Sequence, residues 1–208
     1  MARGNEPRHR LPQEIKTTDE KCPARALEDA GYGSLWHGQR SHHGVAILAK
    51  GEQPKEIRRG LPGDELDRQA RYLEAQAKGL AVGSVYLPNG NPQPGPKFDY
   101  KIAWFERFNA HARALMDCGR PVVLAGDLNV VPTKADIYND ATRHLHPEER
   151  IYTFWVNDAA FRRNAGLRMD FLMLTPDLLR RLAAAGVDST HRGREKASDH
   201  APVWVELR

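Results

Sequence analysis

The octapeptide VVLAGDLN at residues 122–129 is the strongest local signal in the sequence. Its apolar half is typical of a buried β-strand, and the strand ends in a glycine, an acid and an amide. Alternation along an extended chain would place Asp127 and Asn129 on the same side of the strand's end. Such a pair can hold and polarise a water molecule, although Asp and Asn are also ordinary turn residues. Taken alone, the octapeptide favours a catalytic site and a turn about equally.

Further predicted strands and helices surround this stretch. Short apolar or alternating runs bounded by Gly, Pro, Asn or Asp predict strands at 45–48, 80–87, 171–174 and 203–207. Helical spacing of apolar residues predicts a long helix at 98–118, and a shorter helix is predicted at 177–185. Because strands and helices are mixed along the chain, we expect an α/β fold. Periodicity does not distinguish a doubly wound sheet from two stacked sheets.

Composition narrows the class of protein. The chain has 208 residues, enough for one domain with a core of ordinary size. Its 31 Lys and Arg residues exceed its 27 Asp and Glu residues, which mildly favours a polyanionic partner such as a nucleic acid. The chain has no apolar run of about 20 residues, and Cys22 and Cys118 have neither zinc-site nor disulfide spacing. We therefore expect a soluble protein of the reducing cytoplasm.

Two more polar groups stand beside predicted strands near the C-terminus. They are RMD at 168–170 and SDH at 198–200. A histidine can donate a hydrogen bond or a proton to a phosphate oxygen if a carboxylate orients its other ring nitrogen. His200 is the candidate histidine, and Asp170 is the candidate carboxylate. Each residue taken singly is more often a capping or surface group, but three acidic clusters at strand ends together favour an active site.

The order of these motifs resembles the exonuclease III family of abasic-site endonucleases, within the endonuclease/exonuclease/phosphatase superfamily. The resemblance runs from about Leu11 to the C-terminus, with GDLN, RMD and SDH in the family's order. The shorter segments that point to the nuclease branch are WHGQ at 36–39, GVAIL at 44–48, YLPNG at 86–90, TFW at 153–155 and AGLR at 165–168. The family implies a four-layer α/β sandwich, in which two stacked β-sheets are flanked by helices.

The resemblance also implies the catalytic residues and a mechanism. The catalytic residues carried over are Asp127, Asn129, Asp170, His200 and Tyr86. By the family's mechanism, Asp127 activates a water molecule that Asn129 helps to hold. His200, oriented by Asp170, stabilises the phosphate, and Tyr86 donates a hydrogen bond to it. Read without the family, Tyr86 is simply an aromatic residue of a core strand.

A divalent metal ion belongs to the same implied mechanism. Glu14 corresponds to the family's direct metal ligand, and Asp199 supports the outer shell of the ion. The implied ion is Mg²⁺, with Mn²⁺ as a substitute, because a hard ion with oxygen ligands neutralises charge that develops on the phosphate and the leaving oxygen. Without the resemblance, a glutamate in a polar stretch would be taken for a surface residue.

The implied substrate is double-stranded DNA that carries abasic sites. The family's apolar pocket falls on Phe154, Trp155, Leu167, Arg168 and Met169. It receives the abasic nucleotide after flipping, and a pocket too small for a base selects abasic sites by exclusion. The alternative is that the apolar members are plain core residues. The implied activity is metal-dependent incision at abasic sites with 3′-to-5′ exonuclease activity, in base excision repair.

The chain departs from the family pattern at its N-terminus. The family begins with a buried strand that ends in an asparagine and is followed by a helix, whereas only residues 1–13 precede Glu14. Asn5 stands in no strand pattern, and the segment 136–147 is shorter than the family's helical insertion. We therefore expect the first strand and helix to be missing, residues 1–13 to be loosely ordered, and the family domain to span 14–208.

These departures leave an alternative function open. Without its first strand one sheet would gain an exposed edge, through which an otherwise monomeric protein could self-associate. Glu14 would be held less well, and the affinity for metal should fall. The alternative to an active repair nuclease is therefore a catalytically weakened or inactive DNA-binding remnant of the family.

Overall fold

The computed structural model describes residues 7–131, 145 and 151–208. The contacts divide the chain into two compact units, Glu6–Asp127 and Leu128–Arg208. The fold is α/β with several β-sheets and flanking helices, as predicted. Both cysteines are free, and no helix in the described residues is long and apolar enough to cross a membrane.

The first unit contains a three-stranded antiparallel sheet. Its strands are β1 (His9–Arg10), β3 (Val45–Lys50) and β2 (Tyr32–His37), with β3 in the middle. A 3-10 turn (Asp19–Lys21) and a short helix, α1 (Ala24–Asp29), precede β2. Strand β3 is buried over nearly its whole length.

Strand β1 was not predicted, since its surroundings are rich in Arg and Pro and show no alternation. It pairs with Ala49 and Leu48 of β3, and Gln13 forms a further bridge to Val45. Pairing with the strongly apolar strand β3 holds this segment in an extended conformation, although its own β-propensity is weak. Strand β3 therefore has a neighbour on each side in this sheet, and the exposed sheet edge expected without the family's first strand stays a prediction. Residues 1–6 lie outside the described residues, and the predicted domain boundary stays a prediction.

The second sheet of this unit carries β4 (Lys55–Arg59), β5 (Tyr72–Ala77), β6 (Leu80–Tyr86) and β7 (Val122–Asp127) in that order. The pairs β4–β5 and β5–β6 are antiparallel, whereas β6 and β7 are parallel. A parallel pair needs a long crossover, and α2 (Pro96–Asp117), the helix predicted at 98–118, provides it. The three-stranded sheet packs on one face of this sheet and α2 contacts the other, so the inner strands are buried.

The second unit consists of short elements. They are α3 (Asp158–Arg162), β8 (Asp170–Leu174), α4 (Pro176–Leu179), β9 (Leu182–Val187), α5 (Ser189–Arg192) and β10 (Val203–Leu207). The prediction of a helix at 177–185 was wrong beyond the end of α4, because residues 182–187 form a strand that pairs antiparallel with β10. Alanines favour a helix, but pairing with an apolar partner strand overrides that preference here.

Candidate active site

Glu14 lies just after β1, in a segment that is tied to the chain before β3. The backbone N–H groups of Ile15 and Lys16 donate to the carbonyl oxygens of Gly44 (3.3 Å) and His43 (3.0 Å). Glu14 and Lys16 have φ angles of 52° and 53°. Non-glycine residues rarely adopt this left-handed region, and such strain is found mainly at sites of function. The weak attachment that we expected for Glu14 is not observed.

The Glu14 carboxylate accepts hydrogen bonds from three side chains. His42 Nδ1 and Lys16 Nζ lie 2.7 and 3.0 Å from Oε1, and the Tyr86 hydroxyl donates to Oε2 at 2.8 Å. Partial burial alone would raise the pKa of Glu14, but these hydrogen bonds outweigh it and lower the pKa to about 2. The carboxylate is therefore ionised at neutral pH. His42 and Lys16 were not predicted as part of the site, because an exposed His or Lys has no distinctive local pattern.

The pairing of β6 with β7 places Asp127 beside Tyr86. The two residues are partners in the register, and the Leu87 N–H donates to the Asp127 carbonyl at 2.9 Å. Gly126 makes this approach possible, since its φ is 153° and a Cβ there would collide with the carbonyl oxygen of Val85. Tyr86 and Asp127 are both buried. A phenol and a carboxylate thus lie side by side at the carboxyl ends of β6 and β7.

The Tyr86 phenol is kept protonated by its surroundings. Burial, the hydrogen bond to Glu14 and the negative charges of Glu14 and Asp127 raise the pKa of Tyr86 well above its usual range. Its hydroxyl therefore remains a hydrogen-bond donor at neutral pH. The Arg71 guanidinium lies 5.1 Å from the centre of the Tyr86 ring and donates from Nε to Gln69 at 2.6 Å. Sequence reasoning missed Arg71, because a single arginine before a strand carries no periodic signal.

The donor atoms in the first unit suit a hard divalent ion. Glu14 offers an ionised carboxylate whose side chain is 31% exposed, with two basic groups that an ion could replace. Oxygen ligands of this kind favour Mg²⁺ or Mn²⁺ over zinc. Within the described residues, no group of three or more His, Cys, Asp or Glu side chains is arranged to hold an ion. Asp199, the other predicted metal residue, is exposed in the second unit, where Ser198 Oγ donates to it at 3.5 Å.

The second unit brings His200 and Asp170 together as predicted. His200 Nδ1 is 2.8 Å from Asp170 Oδ2. Asp170 begins β8, and the backbone N–H groups of Met169 and Asp170 donate to Thr153 Oγ1 at 3.0 and 3.1 Å. Thr153 is fully buried and fixes the start of the strand. Its positioning role was not predicted, because the two donors lie 16 and 17 residues away.

Asn129 does not continue the strand that ends at Asp127. Its φ is 49°, and the preceding residue, Leu128, donates its N–H to the Met169 carbonyl at 2.8 Å. We inferred that Asp127 and Asn129 share one side because side chains alternate along an extended chain. The chain is no longer extended at Asn129, so that inference does not hold beyond the strand's end. Asn is one of the residues that tolerate this left-handed conformation best. The joint action of the two side chains stays a prediction.

Part of the predicted abasic pocket is accessible. Phe154 is half-buried, with its ring 4.9 Å from the His200 imidazole, and its backbone forms bridges to Leu167 and His200. The Leu167 side chain is exposed, and Met169 is half-buried. Phe154, Leu167 and Met169 are thus the members that a ligand can reach.

The structure places the other two predicted pocket residues in the interior. Trp155 is buried in a cluster with Ala160 and Ala201, so the plain core interpretation replaces the pocket interpretation for it. Arg168 is also buried, with its guanidinium 5.0 Å from the centre of the Phe171 ring, and burial lowers its pKa to about 10. Neighbours along an extended chain point in opposite directions, which explains why Phe154 and Trp155 differ.

Comparison with known proteins agrees with this architecture. The profile of the Endonuclease/Exonuclease/phosphatase family matches residues 5–200. The exodeoxyribonuclease III of Haemophilus influenzae is 32% identical, over 94% of this chain and 88% of that protein. A Neisseria 3′ phosphatase bound to a product DNA hairpin superposes with a TM-score of 0.91 and 33% identity, over 98% of this chain and 90% of that one. An AP endonuclease from Archaeoglobus fulgidus superposes with a TM-score of 0.88 and is 29% identical, over 97% of this chain and 89% of that one.

The chain therefore belongs to the endonuclease/exonuclease/phosphatase family, as its motifs predicted. Asn5 and, apart from residue 145, the segment 136–147 lie outside the described residues, so these two departures from the family pattern stay predictions.

Proposed function

We propose that this protein is a divalent-metal-dependent DNA nuclease of the exonuclease III type. It would cut duplex DNA on the 5′ side of abasic sites and remove nucleotides from 3′ ends, in base excision repair. The observation that carries the proposal is the hydrogen bond between His200 Nδ1 and Asp170, because it orients an accessible imidazole for a phosphate oxygen. The likeness to an exodeoxyribonuclease III and to an AP endonuclease supports the choice of substrate.

The side chains of the first unit would supply the base and the metal ligand. Asp127 takes a proton from the attacking water as general base. Tyr86 donates a hydrogen bond to a phosphate oxygen. Glu14 would hold Mg²⁺, for which Mn²⁺ could substitute, in place of its contacts with His42 and Lys16. The ion, when bound, supplies positive charge against the charge that develops on the phosphate and leaving oxygen.

The side chains of the second unit would bind the phosphate and the water. The His200 imidazole donates a hydrogen bond from Nε2 to a phosphate oxygen, while its Nδ1–H is held by Asp170. Asn129 would orient the water molecule, and Asp199 would support the bound ion indirectly. Phe154, whose ring borders the imidazole, gives the apolar wall of an abasic pocket together with Leu167 and Met169.

The deciding experiment is cleavage of a duplex with one internal abasic analogue, with Mg²⁺ and with a chelator. We expect incision only with Mg²⁺. Asp127→Asn and His200→Asn should each lower the single-turnover rate by about 10² to 10⁴, since each removes a group that acts in the transition state. Melting temperature and DNA affinity should change little. Equal cleavage in the chelator would reject the metal mechanism, and tight binding without cleavage at any Mg²⁺ concentration would favour the inactive remnant.

A second candidate function is removal of a phosphate from DNA 3′ ends. The likeness to the Neisseria 3′ phosphatase favours it, because that protein covers nearly the whole chain at high structural similarity. The two candidate activities are separated by comparing the reaction rate on a nicked duplex with a 3′-phosphate and on the internal abasic duplex under the same conditions. A large preference for the nicked duplex would make end processing the main activity.

We further propose that the protein is a monomer. The edge strand β4 is exposed at all five residues, and four of them are charged: Lys55, Glu56, Arg58 and Arg59. Charged edge strands resist pairing with another chain. Size-exclusion chromatography with light scattering at several protein concentrations tests this, and a mass that doubles with concentration would contradict it.

A further inference from the structure

Arg71 is a half-buried arginine beside Tyr86, and the chemistry proposed above gives it no role. It directly precedes β5, and Tyr86 is the last residue of β6. The Tyr86 N–H donates to the Arg71 carbonyl oxygen at 2.8 Å, which continues the antiparallel pairing one step beyond Tyr72 and Val85. Residues directly opposite each other in an antiparallel pair have their side chains on the same face. The register therefore places the Arg71 guanidinium against the Tyr86 ring.

Three partners hold the guanidinium group of Arg71. Nε donates to Gln69 Oε1 at 2.6 Å, and Nη1 donates to the Tyr86 carbonyl oxygen at 3.4 Å. Nη2 lies 3.1 Å from His43 Nε2, and His43 Nδ1 lies 3.3 Å from the Arg40 carbonyl oxygen. Because a carbonyl oxygen only accepts, Nδ1 of the neutral imidazole carries the hydrogen and Nε2 accepts from Arg71. A guanidinium plane that is fixed in three directions is a rigid support for whatever packs on it.

The Tyr86 ring packs on this support. Cζ of Arg71 is 5.1 Å from the centre of the ring, within the range of a cation–π contact. The Tyr86 hydroxyl donates to Glu14 at 2.8 Å. In the proposed reaction this hydroxyl turns from Glu14 to a phosphate oxygen, so Glu14 no longer fixes the ring in that step. The contact between Arg71 and the face of the ring does not involve the hydroxyl and is retained.

Arg71 is also tied to the segment that carries Glu14. The carbonyl oxygen of His43, whose ring accepts from Arg71, accepts the Lys16 N–H at 3.0 Å. Arg71 therefore joins the strand end that bears Tyr86 to the loop that holds the Glu14 segment. The distance between the phenol and the carboxylate depends on this link.

We propose that Arg71 is a positioning residue that fixes the Tyr86 ring and so aims its hydroxyl in the cleavage step. The task of the hydroxyl rests on the proposed function, whereas the control of the ring by Arg71 does not. Arg71 acts through Tyr86 and not by contact with the DNA.

The first test is a double-mutant cycle on the single-turnover cleavage rate of the abasic duplex, at saturating enzyme with Mg²⁺. Arg71→Gln should lower the rate by about tenfold to a hundredfold, because a small displacement of a reacting group is enough for such a loss. In the Tyr86→Phe background the same substitution should change the rate by less than about twofold, since residues that act through one another are not additive. Equal losses in both backgrounds, or no loss in either, would overturn the proposal.

A lysine at the same position separates geometry from charge. Arg71→Lys keeps the charge but not the planar fork, so its rate should stay within about threefold of that of Arg71→Gln. Full recovery would make Arg71 a source of charge alone and contradict the proposal. The matched control is Arg68→Gln, which removes the same charge from an exposed arginine three residues earlier. It should leave the rate unchanged, and a loss equal to that of Arg71→Gln would assign the effect to net charge.

The second test follows the Tyr86 ring itself by NMR, in the protein without metal or DNA and with isotope-labelled tyrosine. The Tyr86 signal is the one that Tyr86→Phe removes. Flips of this ring should be faster in Arg71→Gln than in the unmodified protein or in Arg68→Gln. An unchanged flip rate would overturn the proposal even if cleavage slows. If the unmodified protein does not cleave the abasic duplex, the proposed function fails, and the flip rates still decide the role of Arg71.

Gln69→Leu keeps the test valid if Arg71→Gln does not fold. This substitution removes the acceptor of the Arg71 Nε–H and leaves the arginine in place. It should also speed the flips of the Tyr86 ring and lower the cleavage rate, with no further loss in the Tyr86→Phe background. Normal flips together with a normal cleavage rate would contradict the proposal.

Discussion

Two histidine–carboxylate pairs occur in this molecule, and they differ in what surrounds them. In the first unit His111 Nε2 is 3.2 Å from Glu74 Oε2, and in the second His200 Nδ1 is 2.8 Å from Asp170 Oδ2. The side chains of the first pair are 10% and 2% exposed, against 26% and 10% for the second. The interatomic distances alone do not distinguish a structural pair from a catalytic one.

The neighbours of each pair indicate its role. The Tyr72 hydroxyl lies 3.1 Å from Glu74 Oε2 and 3.0 Å from His111 Nε2, so three polar groups satisfy one another where α2 meets β5. A buried polar network of this kind stabilises the packing of helix on sheet when all its members are paired. His200 instead stands at a strand end with an aromatic ring beside it. Exposure and position, more than interatomic distance, support the catalytic role proposed for His200 and a packing role for His111.

The largest expected effect is the opposite outcome of one substitution at the two histidines. His200→Asn should lower the cleavage rate of the abasic duplex by about 10² to 10⁴ and barely change the melting temperature. His111→Asn should leave cleavage per folded molecule intact and destabilise the protein by about 1–3 kcal/mol, because Glu74 loses a buried partner. Single-turnover kinetics and thermal melts on the same preparations check both. Similar losses of rate in the two variants would remove the distinction.

A smaller contrast is expected at the carboxylates. Asp170→Asn should lower the cleavage rate by about tenfold to a hundredfold, since a hydrogen bond to a charged group is worth about 1.5–3 kcal/mol. Glu74→Gln should leave the rate unchanged and lower the melting temperature. The informative readout for Asp170 is the pH profile of the rate, which should shift because the imidazole loses a negative neighbour. A profile with unchanged shape would mean that Asp170 only supports the strand.

The smallest effect concerns stability against acid. Burial would raise the pKa of Glu74, but hydrogen bonds from His111 and Tyr72 and the charge of His111 outweigh it and lower the pKa. The folded protein then binds this proton more weakly than the unfolded chain. Ionised Glu74 therefore stabilises the folded state at pH values above the ordinary pKa range of a carboxyl group. This stabilisation is lost as the pH falls through that range and below it. Denaturant unfolding should show a difference between the unmodified protein and Glu74→Gln that shrinks with acid; a constant difference would refute the pKa assignment.

Much of the candidate site could be predicted because its signals are local. The motif at 122–129 combines an apolar strand with a polar end, and the motifs at 168–170 and 198–200 place Asp170 and His200 beside predicted strands. The structure has β7, β8 and β10 at these places and joins the two side chains. Each of these motifs lies within a few consecutive residues, where side chains alternate or recur with a fixed period.

Local patterns in the sequence predicted the strands β3, β6, β7, β8 and β10, the long helix α2 and the polar residues at strand ends. Strands β1 and β9 depend on pairing with distant segments, and Trp155 is buried by contacts that its local pattern did not predict. Tertiary structure also decided that Glu14 is held by Tyr86, 72 residues away, and that His111 is a packing residue. The physical reason is that burial and hydrogen-bond partners depend on contacts between distant segments, which no local period encodes.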